Sequence, residues 1–227
     1  MSIHDGHRQR MKAKFLQSGL ENFDSHNILE ILLYYDLPRS DTNEVAHNLI
    51  NRFGSLSAVF DAPIDELCKV GGLSEHSAIL IKLVPEIYSA YSIDKLKNIK
   101  TIKTSKEAGE YFVPRFAAKT TEEVWMALLD DKYNIVKCVK VGSGNVNSTR
   151  ISVKNIIAET TKSGATNVMI RHNHPAGVAL PSKDDISLTE KINLALKLVD
   201  VKLLDHIIVA DGDYYSMADN SKLDIFK

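Results

Sequence analysis

The sequence predicts a two-domain α+β protein, with an all-α domain over residues 1–100 and an α/β sandwich on one mixed central sheet over 101–227. Three observations point that way. Residues 25–91 repeat their apolar side chains at helical intervals, and residues 122–216 alternate strand-like with helix-like patterns. Between them lies a lysine-rich, apolar-poor stretch, "SIDKLKNIKTIKTSKEA". With 227 residues and 44% hydrophobic content, the chain has enough apolar surface for a core in each half.

In the helical half, Ser25 is the expected N-cap of "HNILEILLYY". Asp41 or Thr42 should cap "NEVAHNLINRF", which Gly54 closes. The run "LCKVGGLSEHSAILIK" then sets Leu67, Val70, Leu73, Ala78 and Ile81 around a Gly71-Gly72 turn, with Ser74 as the next N-cap. Two short helices joined by a glycine hairpin result. Pro85 should kink or end the second helix, because it removes an amide donor and crowds the preceding turn. The lysines at 95, 97, 100, 103 and 106 read either as a solvated linker or as a strip that attracts phosphate. The domain boundary is expected near residue 100.

In the second half, "EEVWMALLD" and "NIVKCVKV" read as strands around a polar turn at Asp131 to Tyr133. A helix follows in "SVKNIIAETTKSG", stopped by Gly164, and then a short buried strand in "NVMIRHN". "SKDDISLTEKINLALKLVD" is a long amphipathic helix with Ser182 at its N-cap and two aspartates in its first turn, where the helix dipole favours carboxylates. "DHIIVAD" and "YYSM" finish as strands.

Bulk properties exclude several classes. A net charge of −1 gives neither half the excess of a dedicated nucleic-acid binder. The two cysteines, Cys68 and Cys138, support neither a disulfide framework nor a cysteine-based zinc site, which fits a reducing, cytoplasmic setting. The opening "MSIHDGHRQRMKAKF" is polar and basic without a signal-like apolar run, so no membrane association is expected.

The chemistry concentrates in "RHNHPAGVALPSKDDI", residues 171–186. Side chains alternate faces along a strand, so His172 and His174 project together while Asn173 points away. Pro175 and Gly177 break the strand, and the chain returns to a helix start where Asp185 can bring a carboxylate to the same point. Two imidazoles and one carboxylate form a ligand set used by catalytic zinc, with the fourth position left to water. An H-x-H triplet alone is weak, and the residues have a plainer reading: histidines bonded at a strand end, with Ser182 and Asp185 capping a helix.

His172-x-His174-Pro175 followed by Ser182-x-x-Asp185 resembles the JAMM metalloprotease motif of MPN+ domains. "HNHPAG", "PSKDDI" and "LLDHIIVADGDYYSM" resemble the RadC branch in particular. The resemblance implies a cytidine deaminase-like sandwich and a Zn2+-dependent hydrolase acting on an unidentified protein or peptide, with His172, His174 and Asp185 as metal ligands. It also implies a catalytic glutamate at the head of the first core strand: Glu122 if Leu129-Asp130 closes the pattern, Glu123 otherwise. That glutamate would pass a proton from water to the leaving amine, and Ser182 would donate to the oxyanion. His206 in "LDHIIV" reads as a core residue or an outer hydrogen-bond partner of the metal group. Two departures stand out: "HPAG" replaces the family's "HPSG", and "RISVKN" lacks its His-Pro-Arg-Glu-like run.

"VGGLSEHSA" resembles a helix-hairpin-helix, whose turn, here Gly71, Gly72 and Ser74, would aim backbone amides at a DNA phosphate. Ser74 replaces the last hairpin glycine, and a packing hairpin is the alternative. Arg8, Arg10, Lys12 and Lys14 are candidate phosphate contacts. The DNA-repair label carried by RadC relatives frames two rivals to the hydrolase: a DNA-associated accessory module and a metal-dependent nuclease. Deamination is disfavoured, since the chain has neither H-x-E at this site nor a paired-cysteine motif.

Overall fold

The structure is a computed structural model. It describes residues 3–96, 99–144, 151–175, 177–220 and 226, without the side chains of residues 3–5. The chain divides into two compact units, Met1–Ile87 and Tyr88–Lys227. Among the described residues no helix is long and apolar enough to cross a membrane.

The first unit is helical: α1 (Ile3–Ser18), α2 (Ser25–Leu33), α3 (Thr42–Phe53), α4 (Leu56–Asp61), α5 (Ile64–Leu67) and most of α6 (Glu75–Lys95). Asp41 caps α3, accepting from the amides of Asn43 and Glu44, and Gly54 ends it in the left-handed region as expected. For α2 the cap is Asp24 rather than Ser25, which is already helical. Leu67, Val70, Ala78 and Ile81 are buried with Leu29, Leu33 and Leu49 in one core, and Leu73 packs against it. Arg8 spends its guanidinium on the carbonyls of Leu37, Pro38 and Ser40, at 2.9, 2.7 and 2.7 Å, so α1 is tied to the α2–α3 loop.

Two expectations are corrected here. Pro85 does not end its helix; α6 continues through it to Lys95. Packing overrides the lost amide, with Ala78 and Ile81 buried before the proline and Ser89 Oγ donating to the Pro114 carbonyl at 2.8 Å beyond it. The two compact units divide at 87/88, inside α6. Nor is the lysine-rich stretch simply a solvated linker. Ile102 is fully buried and donates its amide to the Tyr133 carbonyl at 3.0 Å, while Lys100 O accepts from Ile135 N at 2.8 Å. Lys100, Lys103 and Lys106 stay exposed, and Lys97 lies outside the described residues.

The second unit adds α7 (Ser105–Phe116), β1 (Glu123–Leu129), β2 (Ile135–Ser143), α8 (Val153–Ser163), β3 (Asn167–Asn173), α9 (Lys183–Lys197), β4 (Lys202–Ala210), β5 (Asp213–Ser216) and α10 (Met217–Asn220). The strands form one mixed sheet in the order β2-β1-β3-β4-β5, with β3 and β4 parallel and the other pairs antiparallel. One face, carrying Val124, Met126, Val168 and Ile170, is covered by apolar residues of α8 and α9 such as Ile156 and Ile192. The other, carrying Ala127, Met169 and Ile207, is covered by Ala108 and Phe112 of α7. An α/β sandwich results, as expected.

Candidate metal centre

Two elements meet at one end of the sheet. The end of β3 supplies His172 and, one pleat further, His174, whose amide still pairs with the β4 residue Val209 at 2.8 Å. The head of α9 supplies Asp185. The ligand-capable atoms of the three side chains all lie within 4.8 Å of one another. His172 Nε2 is 2.8 Å from His174 Nε2 and 3.1 Å from Asp185 Oδ1, and His174 Nε2 is 3.6 Å from Asp185 Oδ2. His172 and Asp185 are fully buried, whereas the His174 side chain keeps 21% of its surface, so the cluster opens to solvent on that side.

Each group is fixed from behind. His174 Nδ1 lies 3.1 Å from the Val178 carbonyl. A carbonyl only accepts, so Nδ1 carries the proton and Nε2 presents a lone pair. Ser182 and Asp185 form a capping box: the Asp185 amide donates to Ser182 Oγ at 3.2 Å, and the Ser182 amide donates to Asp185 Oδ2 at 2.8 Å. Ser182 Oγ also donates to Asp185 Oδ2 at 2.7 Å. That single hydroxyl proton is thus spent on holding the carboxylate. Asp185 Oδ1 is buried and accepts no hydrogen bond despite its nearness to His172.

The electrostatics follow from this geometry. Burial alone would push the Asp185 carboxyl up, but His172, His174 and the Ser182 hydroxyl outweigh it and hold the carboxyl far below the usual range. The Asp185 carboxylate beside it raises His174 above its ordinary value, against its own burial. His206, completely buried behind His172, is driven far below the histidine range by desolvation.

The pleat separates the two candidate glutamates. Val124 pairs with His172 in antiparallel register, and alternation carried one residue past the start of β1 puts Glu122 on the histidine side of the sheet. Its charge acts on His174. Glu123 belongs to the opposite face, where its carboxylate accepts from Lys140 Nζ at 2.7 Å and Trp125 Nε1 at 2.9 Å. Burial opposes ionisation there, yet these two donors hold Glu123 below the usual carboxylate value.

The sequence reading passed over Asn173 and Thr189. Asn173 bonds to the main chain on both sides of Glu122, and Thr189 sits behind His172 through His206. Neither residue type announces such a role, and both depend on β1 or β4 coming alongside. Gly71, Gly72 and Ser74 are exposed in the other unit. Gly72 has φ 86, and a Cβ there would come within 2.9 Å of Val45 Cγ2, so packing alone accounts for a glycine at that position.

A family model described as the RadC-like JAB domain matches residues 102–223. Similar full-length relatives include a UPF0758 protein of Fusobacterium nucleatum, 31% identical over 94% of this chain and 95% of its own length. A UPF0758 protein of Tolumonas auensis is 29% identical over 95% of this chain and 96% of its own, and one of Pseudoalteromonas atlantica 27% over 93% and 94%.

Proposed function

The chain belongs to the RadC family, and from that premise we propose that it is a zinc-dependent hydrolase of peptide or isopeptide bonds whose metal is held by His172, His174 and Asp185. The observation that carries the reading is Asp185 Oδ1, a fully buried carboxylate oxygen that accepts no hydrogen bond and lies 3.1 Å from His172 Nε2, with His174 Nε2 3.6 Å from the other oxygen of the same carboxylate. Leaving such an atom unsatisfied costs about 1–3 kcal/mol or more, and a divalent cation removes that penalty. Two neutral nitrogens and one carboxylate suit zinc, and the solvent-facing side at His174 leaves a fourth position open. When bound there, zinc would supply Lewis-acid polarisation and make water acidic enough to lose a proton near neutral pH.

The remaining work falls to the chain's own side chains. Glu122, which alternation puts on the histidine side and whose charge acts on His174, takes the proton from the attacking water and returns it to the leaving amine. Ser182 orients Asp185 through its hydroxyl; donation to a developing oxyanion requires that proton to leave Asp185 Oδ2.

The test is a panel of peptides and isopeptide-linked conjugates offered to the zinc-loaded chain, beside nicked, branched and single-stranded DNA. Cleavage of an amide bond that chelation abolishes and zinc restores is the expected result. Cleavage of DNA with every amide bond left intact would overturn the peptidase reading in favour of a nuclease, and zinc binding without cleavage of either would favour an accessory module.

A further inference from the structure

Behind His172 lies a buried row of hydrogen bonds that neither the sequence motif nor the family match assigns. His172 Nδ1 is 2.8 Å from His206 Nε2, His206 Nδ1 is 2.6 Å from Thr189 Oγ1, and Thr189 Oγ1 is 2.5 Å from the backbone carbonyl of Asp185. His172, His206 and Thr189 are all fully buried. The register explains why they meet. His206 pairs with Ile170 across the parallel β3–β4 ladder, one pleat before His172 and on the same face, while Thr189 stands one turn after Asp185 on α9.

The direction of every proton in this row follows from its last member. A carbonyl oxygen only accepts, so the hydroxyl proton of Thr189 goes to Asp185 O; Met217 Sδ, at 3.7 Å, is a far weaker acceptor. Having no second proton, Thr189 must accept from His206, which places that ring's proton on Nδ1 and leaves Nε2 bare. His206 Nε2 in turn accepts, so His172 carries its proton on Nδ1. His172 Nε2 and His174 Nε2, 2.8 Å apart beside Asp185, then both present lone pairs with no proton between them, an arrangement that a shared cation relieves.

We propose that His206, acting through Thr189, is a positioning residue that locks His172 in the one tautomer able to bind a metal through Nε2. The inference rests on the metal-site reading above. The backbone of one ligand, Asp185, thereby sets the protonation of another, and ring orientation and tautomer are fixed before any ion arrives. Outer partners of this kind are worth about 10–100-fold in metal affinity.

The experiment combines two readouts on the full chain. Ring-nitrogen NMR of the metal-free protein, labelled with 15N-histidine, reports tautomers. Chelator competition reports zinc affinity for the wild type, His206→Phe, His206→Gln and Thr189→Val. His206 in the wild type should be the Nδ1–H tautomer. His206→Phe should weaken zinc by about 10–100-fold. His206→Gln, whose carbonyl accepts from His172 and whose amide donates to Thr189, should recover most of that loss. Thr189→Val should weaken zinc and shift His206 toward Nε2–H although it touches no ligand side chain. A His206→Phe protein that melts like the wild type and binds zinc equally well would overturn the proposal, as would an Nε2–H His206 in the wild type. A wild-type chain that takes up no zinc would instead sink the metal reading, and the tautomer measurement would still judge the hydrogen-bond row by itself.

Discussion

Asn173 grips the main chain on both sides of Glu122: its Nδ2 donates to Thr121 O at 3.0 Å, and its Oδ1 accepts from Glu123 N at 2.8 Å. The side chain between the two histidines, which points away from the metal, thus holds the opening of β1 against the end of β3. Asn173→Ala should keep zinc stoichiometry and lower turnover by about 10–100-fold, since a displacement of about 1 Å in a positioned acid–base group has that effect. Metal analysis beside steady-state kinetics on a cleaved conjugate checks it.

Glu122→Gln and Glu123→Gln should part company. Removing the Glu122 carboxylate, on the histidine face, should abolish about 10²–10⁴-fold of turnover with zinc retained. The Glu123 substitution, on the face of Trp125 and Lys140, should leave kcat within a few-fold. Equal activity in Glu122→Gln would remove that residue from the chemistry.

Glu123 has a stability signature instead. Lys140 and Trp125 hold its folded pKa below the unfolded value near about 4.3, so its contribution is full above that value and is lost as pH falls through the folded pKa. Glu123→Gln should cost about 1 kcal/mol at pH 7, discounted because the Lys140 side chain is 40% exposed. The gap between the two proteins should close in acid, as read from urea midpoints at pH 7 and pH 3.

Gly72→Ala tests the hairpin. With φ 86 and Val45 Cγ2 only 2.9 Å from a new Cβ, the substitution should destabilise the helical unit by about 1–3 kcal/mol. Gly71→Ala, which meets nothing within 4 Å, should not. A loss of salt-dependent DNA retention in Gly71→Ala at unchanged melting temperature would instead support phosphate contact by this turn.

Much of the second unit was legible because its signals are local. Strict alternation put His172 and His174 on one face, and the Ser182 cap with two first-turn acids marked the head of α9. The misses have equally physical sources. The α7 helix hides in the lysine-rich run, although Thr104 and Glu107 form a capping box, a signal visible as T-S-K-E. The polar α1 has no apolar face to betray it, and is held by Arg8 and by His7, which pairs with the buried Glu30 at 2.9 Å. Pro85 argued for a break that packing on both flanks overrode. Asn173 and Thr189 gain their roles only once β1, β4 and α9 converge on the end of β3, which no spacing along one strand can show; His206, expected as a core residue or an outer partner, lies 2.8 Å from His172 Nδ1.

The central claim is that His172, His174 and Asp185 hold one zinc ion. Its most direct test is metal content after dialysis of the wild type, His174→Ala and Asp185→Ala against zinc at micromolar concentration. One zinc per wild-type chain, and less than a tenth of that in each folded variant, is the result expected from three convergent ligands. Equal zinc in all three proteins, or none in the wild type, would contradict it.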